Sequence, residues 1–453
     1  MTALKLLRRD LLRAPALLGL AAALPASAQE SWDAPASSGG LRAPRPPMGW
    51  NSWNSFATTL TEAQALETAR IMADKLLPSG YDVFTVDIQW YEPNATGYDY
   101  RPGAALAMDG HGRLLPAPNR FPSSAGGRGF KPLADRIHAL GLKFGVHLMR
   151  GIPRLAYERD LPVFGTSYTA RQIANLNSVC SWNSDMYGVD MSKPGAQDYY
   201  NSVFALFAEW GVDFVKMDDM SRPYSVNWPE IEAAQAAIAA SGRPISLSLS
   251  PGETDLAWGP HVQKHAQMWR ISDDFWDEWA MLKAQFARLE AWNGYRRPGA
   301  WPDADMLPLG QLALGQRKTR FTAAEQQTLM TLWAIARSPL IMGGDLRALD
   351  APTLRLLTNP AIVEINQHSR NNMPVSNDGG RVVWTAENAD GTARYLALFN
   401  ISDHPLLFEQ KLKAIGAPSR TRAENVWTGQ TSDAEGVIAA ELREHASALF
   451  RLT

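Results

Sequence analysis

A (β/α)8 barrel followed by a smaller antiparallel β-domain is the fold this sequence predicts, on three observations. Eight short apolar runs recur between Met48 and Leu346, with longer amphipathic stretches between them. Strands alternating with helices imply a parallel sheet with crossover helices, and eight such units suggest a closed barrel. Most of these runs end in acidic, basic or aromatic residues, at the end where a barrel of parallel strands carries its site. From about Asn372 the helical patterns give way to short alternating runs, as in an antiparallel β-domain. The rival, an open doubly wound sheet, would favour a Gly-rich loop after an early strand, and no GxGxxG is present.

Residues 1–28 read as a targeting segment, outside the fold. Arg8 and Arg9 precede an apolar run from Ala14 to Leu24, and Ala26-Ser27-Ala28 fits a small-x-small cleavage site. The run is too short to span a membrane. The paired arginines resemble a twin-arginine signal, with ordinary secretion as the alternative. Either route predicts an exported chain beginning near Gln29, periplasmic or secreted. Residues 29–45, rich in Pro, Ser, Gly and Ala, read as a linker.

The barrel is expected over residues 46–370. Its strands are expected in MGWNSW (48–53), YDVFTVDIQW (81–90), LKFGVHLM (142–149), VDFVKMDD (212–219), RPISLSLS (243–250), AQMWRISDD (266–274), AWPDADML (300–307) and PLIMGGDL (339–346). Helical periodicity appears between them, as at 62–77, 130–141, 196–211 and 323–338. Over 371–453, RVVWTAEN (381–388), RYLALFNI (394–401) and ASALFRLT (446–453) alternate like strands. This domain is expected to pack on the barrel, with carbohydrate binding as the alternative.

With 453 residues the chain is too long for one ordinary domain. Its 44 basic and 46 acidic residues are nearly balanced, which argues against a nucleic-acid or membrane-surface partner. Its single cysteine, Cys180, permits no intrachain disulfide and no cysteine-based metal site. No His-bearing motif lies near it, so a structural role is expected. Sixteen tryptophans fit either core packing or aromatic platforms in a sugar-binding cleft. The oligomeric state is open.

The chemistry concentrates in DFVKMDD (213–219). Strand geometry puts Lys216 and Asp218 on one face, a cation beside an acid at a strand's C-terminal end. Asp87, Gln89, Trp90, Tyr91 and Glu92 close the second run, His147 and Arg150 the third, Arg270, Asp273 and Asp274 the sixth, and Asp303 and Asp305 the seventh. Clustered carboxylates raise one another's pKa, a cost usually tolerated at a functional site. A hard-cation cage is the first competing explanation. Lys216, Arg270 and Arg150 would bring positive charge into the same cavity, which favours a sugar site and predicts no metal there. Neither HExxH, an EF-hand nor a P-loop appears. Facing carboxylates across a barrel mouth suit glycoside hydrolysis.

Five ordered motifs carry a resemblance to a known family: PPMGWNSWN (46–54), FVKMDD (214–219), WRISDDFW (269–276), WPDADML (301–307) and WAIARSPLIMGGDL (333–346). On these the chain resembles glycoside hydrolase family 27, the α-galactosidase and melibiase group, over about residues 45–370. The resemblance implies a C-terminal antiparallel β-sandwich, no cofactor and a retaining mechanism. It implies Asp218 as nucleophile, with Met217 at the family's aromatic position and Asp219 as a neighbour or cap. It implies Asp274 as acid/base, Asp273 being the nearest alternative. Trp53, Asp87, Trp90, Lys216, Arg270 and Asp305 are then expected to contact the terminal sugar. The two catalytic carboxylates are expected nearer the retaining separation, roughly 5–5.5 Å, than the inverting one.

Two positions depart from the family pattern. Family galactosidases carry adjacent acids after the second strand, and here the pair is Asp87-Ile88. Ile88 accepts no hydrogen bond, leaving Gln89 or Glu92 to compensate. After the fifth strand, galactosidases place Glu against the sugar's 2-hydroxyl and N-acetylgalactosaminidases place Ser. Here Ser250 stands in SLSPGE (248–253), where a Ser-Pro-Gly turn is the structural alternative. The expectation is a retaining exo-α-galactosidase. The alternatives are the same chemistry on an α-N-acetylgalactosaminide, a β-L-arabinopyranoside or an α-1,6-glucan, and, more remotely, a non-catalytic sugar-binding protein.

Overall fold

The computed structural model describes residues 41–453; the expected signal segment and residues 29–40 of the expected linker lie outside the described residues. Residues 41–45 are tied to the start of the barrel strands. Arg42 donates to the Ile245 carbonyl at 2.9 Å, and the Trp301 indole donates to the Ala43 carbonyl at 2.8 Å.

All eight apolar runs form strands, shorter than the runs themselves. They are β1 (Met48–Asn51), β2 (Val83–Val86), β3 (Lys143–Met149), β4 (Phe214–Asp218), β5 (Ser246–Leu249), β6 (Met268–Arg270), β7 (Trp301–Asp303) and β8 (Leu340–Met342). Every neighbouring pair is parallel, in the order β7-β6-β5-β4-β3-β2-β1-β8. A parallel bridge between Leu307 and Met342 joins the β7 and β8 sides and closes the curl. Long helices cover it, among them Glu62–Lys75, Ala196–Trp210, Tyr224–Ala240, Trp279–Trp292 and Ala323–Ala336. Glu62–Lys75 starts on a capping box in which Thr61 and Gln64 satisfy each other's backbone N–H.

Strand alternation sorts the side chains. On β4, Val215 and Met217 are fully buried in the main core. Phe214, Lys216 and Asp218 take the opposite face. Phe214 joins Val83, Met268, Trp301, Met306 and Ile341 in a separate apolar plug drawn from β2, β6, β7, β8 and the turn after β7. The plug fills the lower lumen. The charged pair of the same strand stands beyond it, at the C-terminal end.

The C-terminal region has a six-stranded antiparallel sheet, with Arg381–Glu387, Arg394–Asn400 and Ser447–Leu452 adjacent within it, and a two-stranded sheet of Leu406–Lys411 and Val437–Leu442. Arg394–Asn400 is buried on both faces. Leu396 and Leu398 pack with Phe408 and Ile438 of the small sheet, whereas Tyr395, Ala397 and Phe399 join the core that includes the barrel helices. Phe399 meets Phe286 edge-on at 5.0 Å. Burying one such ring is worth roughly 1.5–3 kcal/mol. Trp427 donates to Thr331 at 3.0 Å, and Gln327 to the Ser447 carbonyl at 2.9 Å, across the same seam.

Candidate active site

The site is built on the C-terminal ends of β2, β4 and β6. A cavity of about 340 Å³ opens there, lined by Trp53, Asp87, Ile88, Tyr100, Trp182, Lys216, Asp218, Arg222, Pro251, Asp273 and Asp274. Asp218 closes β4. Its Oδ2 lies 3.0 Å from His147 Nε2 on the neighbouring strand, and its Oδ1 accepts from the Ser250 hydroxyl at 2.7 Å. Burial alone would push its pKa up. The His147 hydrogen bond, the Lys216 charge and the Ser250 hydroxyl outweigh burial and hold it at about 2. Asp218 is therefore a carboxylate at any ordinary pH.

Lys216 reaches across to Asp87, Nζ to Oδ2, at 2.9 Å. Asn51 donates to the same oxygen at 2.7 Å, and the Ile88 backbone N–H donates to Oδ1 at 2.8 Å. Burial opposes ionisation of both partners, but their mutual attraction lowers the Asp87 pKa and raises that of Lys216. Both stay charged.

On the opposite side, one Arg270 nitrogen lies 3.0 Å from Asp274 and 2.7 Å from Asp305. The Asp274 side chain is 54% exposed and that of Asp305 only 3%. Asp305 also accepts the backbone N–H groups of Phe275 and Met306, each at 2.7 Å. Its oxygens are thus committed to the loop that presents Asp274. Burial and the neighbouring Asp305 push the Asp303 pKa up to about 7.

The expected site residues fall into three groups. Trp53, Asp87, Lys216, Asp218 and Asp274 line one cavity. Ser250, Arg270 and Asp305 stand behind those lining groups and hold them. Trp90 does not belong to the site: it is fully buried, packs on Tyr91, Phe130 and Trp210, and donates its indole N–H to the His147 carbonyl at 2.8 Å. The turn after Asp87 carries the chain away from the cavity before Trp90, so strand alternation fails as a guide there. Gln89 and Glu92 cannot compensate for Ile88 either. Gln89 donates to buried Asp185 at 2.6 Å, and Glu92 pairs with Arg101 at 2.6 Å.

The two adjacent acids separate clearly. Asp219 has a positive φ of 61° and turns to Arg150 at 2.7 Å, which also holds Glu230 at 2.6 Å. Asp273 sits on the rim, 2.7 Å from Arg222, with both side chains 60% exposed. Cys180 is buried, and desolvation first, then Asp219, pushes its thiol up to about 12, so it is not a nucleophile at neutral pH. Trp50, Trp90, Trp269, Trp301, Trp333 and Trp384 are fully buried, so these six of the sixteen tryptophans serve packing.

Tyr100, Trp182 and Arg222 line the cavity without having been expected there. Trp53 stacks on Tyr100 with planes 4° apart and centroids at 6.1 Å, and Tyr100 meets Trp182 at 5.3 Å. Both new aromatics lie in long connections, after β2 and after β3, where no periodic signal marks a residue. A stabilised carboxylate, a more exposed carboxyl group and an aromatic wall around one ring-sized hollow are suited to a polar ring with an apolar face.

Comparison with known proteins agrees with this chemistry. Residues 187–368 match the family model described as alpha galactosidase A, and residues 378–452 that of the alpha galactosidase C-terminal beta sandwich domain. The crystal structure of Abp, a GH27 β-L-arabinopyranosidase from Geobacillus stearothermophilus, is 46% identical, with a TM-score of 0.89 over 91% of this chain and 97% of that one. An alpha-galactosidase of Coffea arabica is 29% identical over 90% of this chain and 93% of its own. An alpha-N-acetylgalactosaminidase of Gallus gallus is 27% identical over 85% of this chain and 87% of its own. The paired domains, the strand-end carboxylates and these likenesses converge: the chain belongs to glycoside hydrolase family 27.

Proposed function

We propose that the protein is a retaining exo-glycosidase whose preferred terminal sugar is β-L-arabinopyranose, with α-D-galactopyranosides as poorer substrates. The observation that carries this reading is Ile88 lining the cavity beside Asp87. A β-L-arabinopyranoside has the ring and hydroxyl configuration of an α-D-galactopyranoside, with hydrogen in place of the C5 hydroxymethyl group. Asp87 and Lys216 can still bind ring hydroxyls through their remaining lone pairs and N–H donors. Ile88 offers a hydroxymethyl group no partner. A buried polar group left unpaired costs about 1–3 kcal/mol, roughly a factor of 5 to 150 in kcat/KM. The name of the Geobacillus relative supports the same choice. The Ser250 hydroxyl is committed to Asp218, which argues against a role for it in selecting a 2-acetamido group.

In the reaction, an Asp218 oxygen attacks the anomeric carbon as the bond to the leaving oxygen breaks. Asp274 supplies the proton that oxygen takes. Asp274, now a carboxylate, removes a proton from water, whose oxygen displaces Asp218 and frees the sugar. Arg270 donates to Asp274 at 3.0 Å and orients it. The competing reading, an α-galactosidase, rests on the plant relatives and on the motifs they share. A panel of aryl glycosides separates the two. Higher kcat/KM on the β-L-arabinopyranoside supports the proposal; higher kcat/KM on the α-D-galactopyranoside rejects it.

Export also belongs to this reading, on the strength of Arg8, Arg9 and the apolar run that follows them. N-terminal sequencing of the protein from its native host is expected to start near Gln29. A cytoplasmic protein starting at Met1 would refute it.

A further inference from the structure

Away from the sugar cavity, two barrel helices bring three metal-ligating side chains together. Helix Gly259–His265 carries His261 and His265 in the sequence HVQKH, four residues apart and so on one face. Helix Tyr224–Ala240 brings Glu232 against them. One ligand atom from each of the three lies within 4.8 Å of the other two. His261 Nε2 is 3.3 Å from Glu232 Oε1, and His265 Nε2 is 3.7 Å from the same oxygen. The two imidazoles stack with centroids 4.3 Å apart. None of the three lines the cavity that holds Asp218.

The surroundings suit coordination. The Tyr224 hydroxyl meets His261 Nδ1 at 2.9 Å, the kind of outer partner that orients a ligating imidazole and turns its other nitrogen toward a metal. His265 Nδ1 is buried without a hydrogen-bond partner. The Glu232 side chain is 45% exposed, which leaves an entry path and room for water as a further ligand.

We propose that His261, His265 and Glu232 form a structural site for a divalent transition cation, of which zinc best fits two imidazoles and one carboxylate. The bound ion clips helix Gly259–His265 to helix Tyr224–Ala240. That second helix begins two residues after Arg222, whose pairing with Asp273 forms part of the cavity rim. The ion therefore stiffens the wall that carries the rim and takes no part in the chemistry.

The test uses the full chain, stripped with EDTA and titrated with zinc chloride by calorimetry, with metal analysis after dialysis and thermal unfolding in parallel. One equivalent is expected to bind and to raise Tm. Glu232→Gln and His265→Ala are each expected to weaken zinc binding about tenfold or more and to abolish the rise in Tm. Glu232→Gln preserves size and hydrogen bonding, so it separates lost coordination from lost folding. Both variants are expected to keep the hydrolytic rate of the stripped wild type. Failure of the stripped chain to bind zinc overturns the proposal. So does wild-type zinc affinity in both variants, which would put the ion at another histidine such as His445, beside Glu325 and Asp403.

Discussion

The Ser250 hydroxyl donates to Asp218 Oδ1 at 2.7 Å, while His147 occupies the other carboxylate oxygen. A hydrogen bond to a charged group is worth roughly 1.5–3 kcal/mol, and one pKa unit is about 1.4 kcal/mol. Ser250→Ala should therefore raise the Asp218 pKa from about 2 by roughly one to two units. As the proposed nucleophile, the group must be ionised to attack, so activity falls as pH drops through its pKa. The acid limb of kcat/KM, which reports the free enzyme, is expected to move to higher pH. An unmoved limb in a variant that recovers full activity on return to neutral pH would remove Ser250 from this role.

Asp218→Asn and Asp274→Asn should behave differently. On the proposed mechanism, Asp218→Asn removes the attacking oxygen and should lower kcat on every substrate by at least about 10³-fold. On the same mechanism, Asp274→Asn removes the proton donor, worth roughly 10²–10⁴-fold. Its deficit in forming the glycosyl-enzyme should shrink on aryl glycosides whose leaving group needs no proton. With the wild type, proton NMR should show the sugar released with its anomeric configuration retained. Initial release of the inverted anomer would refute the double displacement.

Ile88→Asp should lower kcat/KM on the β-L-arabinopyranoside and raise it on the α-D-galactopyranoside. The change in the ratio is expected to be about 10-fold or more, since it restores a partner for the hydroxymethyl group. An unchanged ratio would mean that Ile88 does not set the preference.

Arg150 holds Asp219 at 2.7 Å and Glu230 at 2.6 Å in a buried network. Arg150→Met leaves two carboxylates without their cation. A loss of about 3–5 kcal/mol in unfolding free energy is expected by urea denaturation. A loss below about 1 kcal/mol would show that the pair is solvated in solution.

Trp182→Ala should raise KM more than it lowers kcat, because Trp182 forms part of the aromatic wall and carries no acid or base. The check is a saturation curve on an aryl glycoside. An equal fall in kcat and kcat/KM, with KM unchanged, would instead assign Trp182 to the transition state.

What the sequence determined by itself was local and periodic. Eight apolar runs became eight parallel strands because alternation between strands and amphipathic helices admits few topologies. VKMDD placed Lys216 and Asp218 together because side chains two apart on a strand share a face. Tertiary structure decided the remainder. Trp90 went to the core because the chain turns after Asp87, beyond the reach of any period. Ser250 and Asp305 became supports for Asp218 and the Asp274 loop, since their hydrogen bonds come from other strands and turns. Tyr100 and Trp182 reached the cavity from long connections. Glu232, His261 and His265 meet only once two helices pack side by side, a juxtaposition that no strand-end pattern shows. Contacts between residues far apart in the chain carry no spacing of their own, and only the folded chain brings them into register.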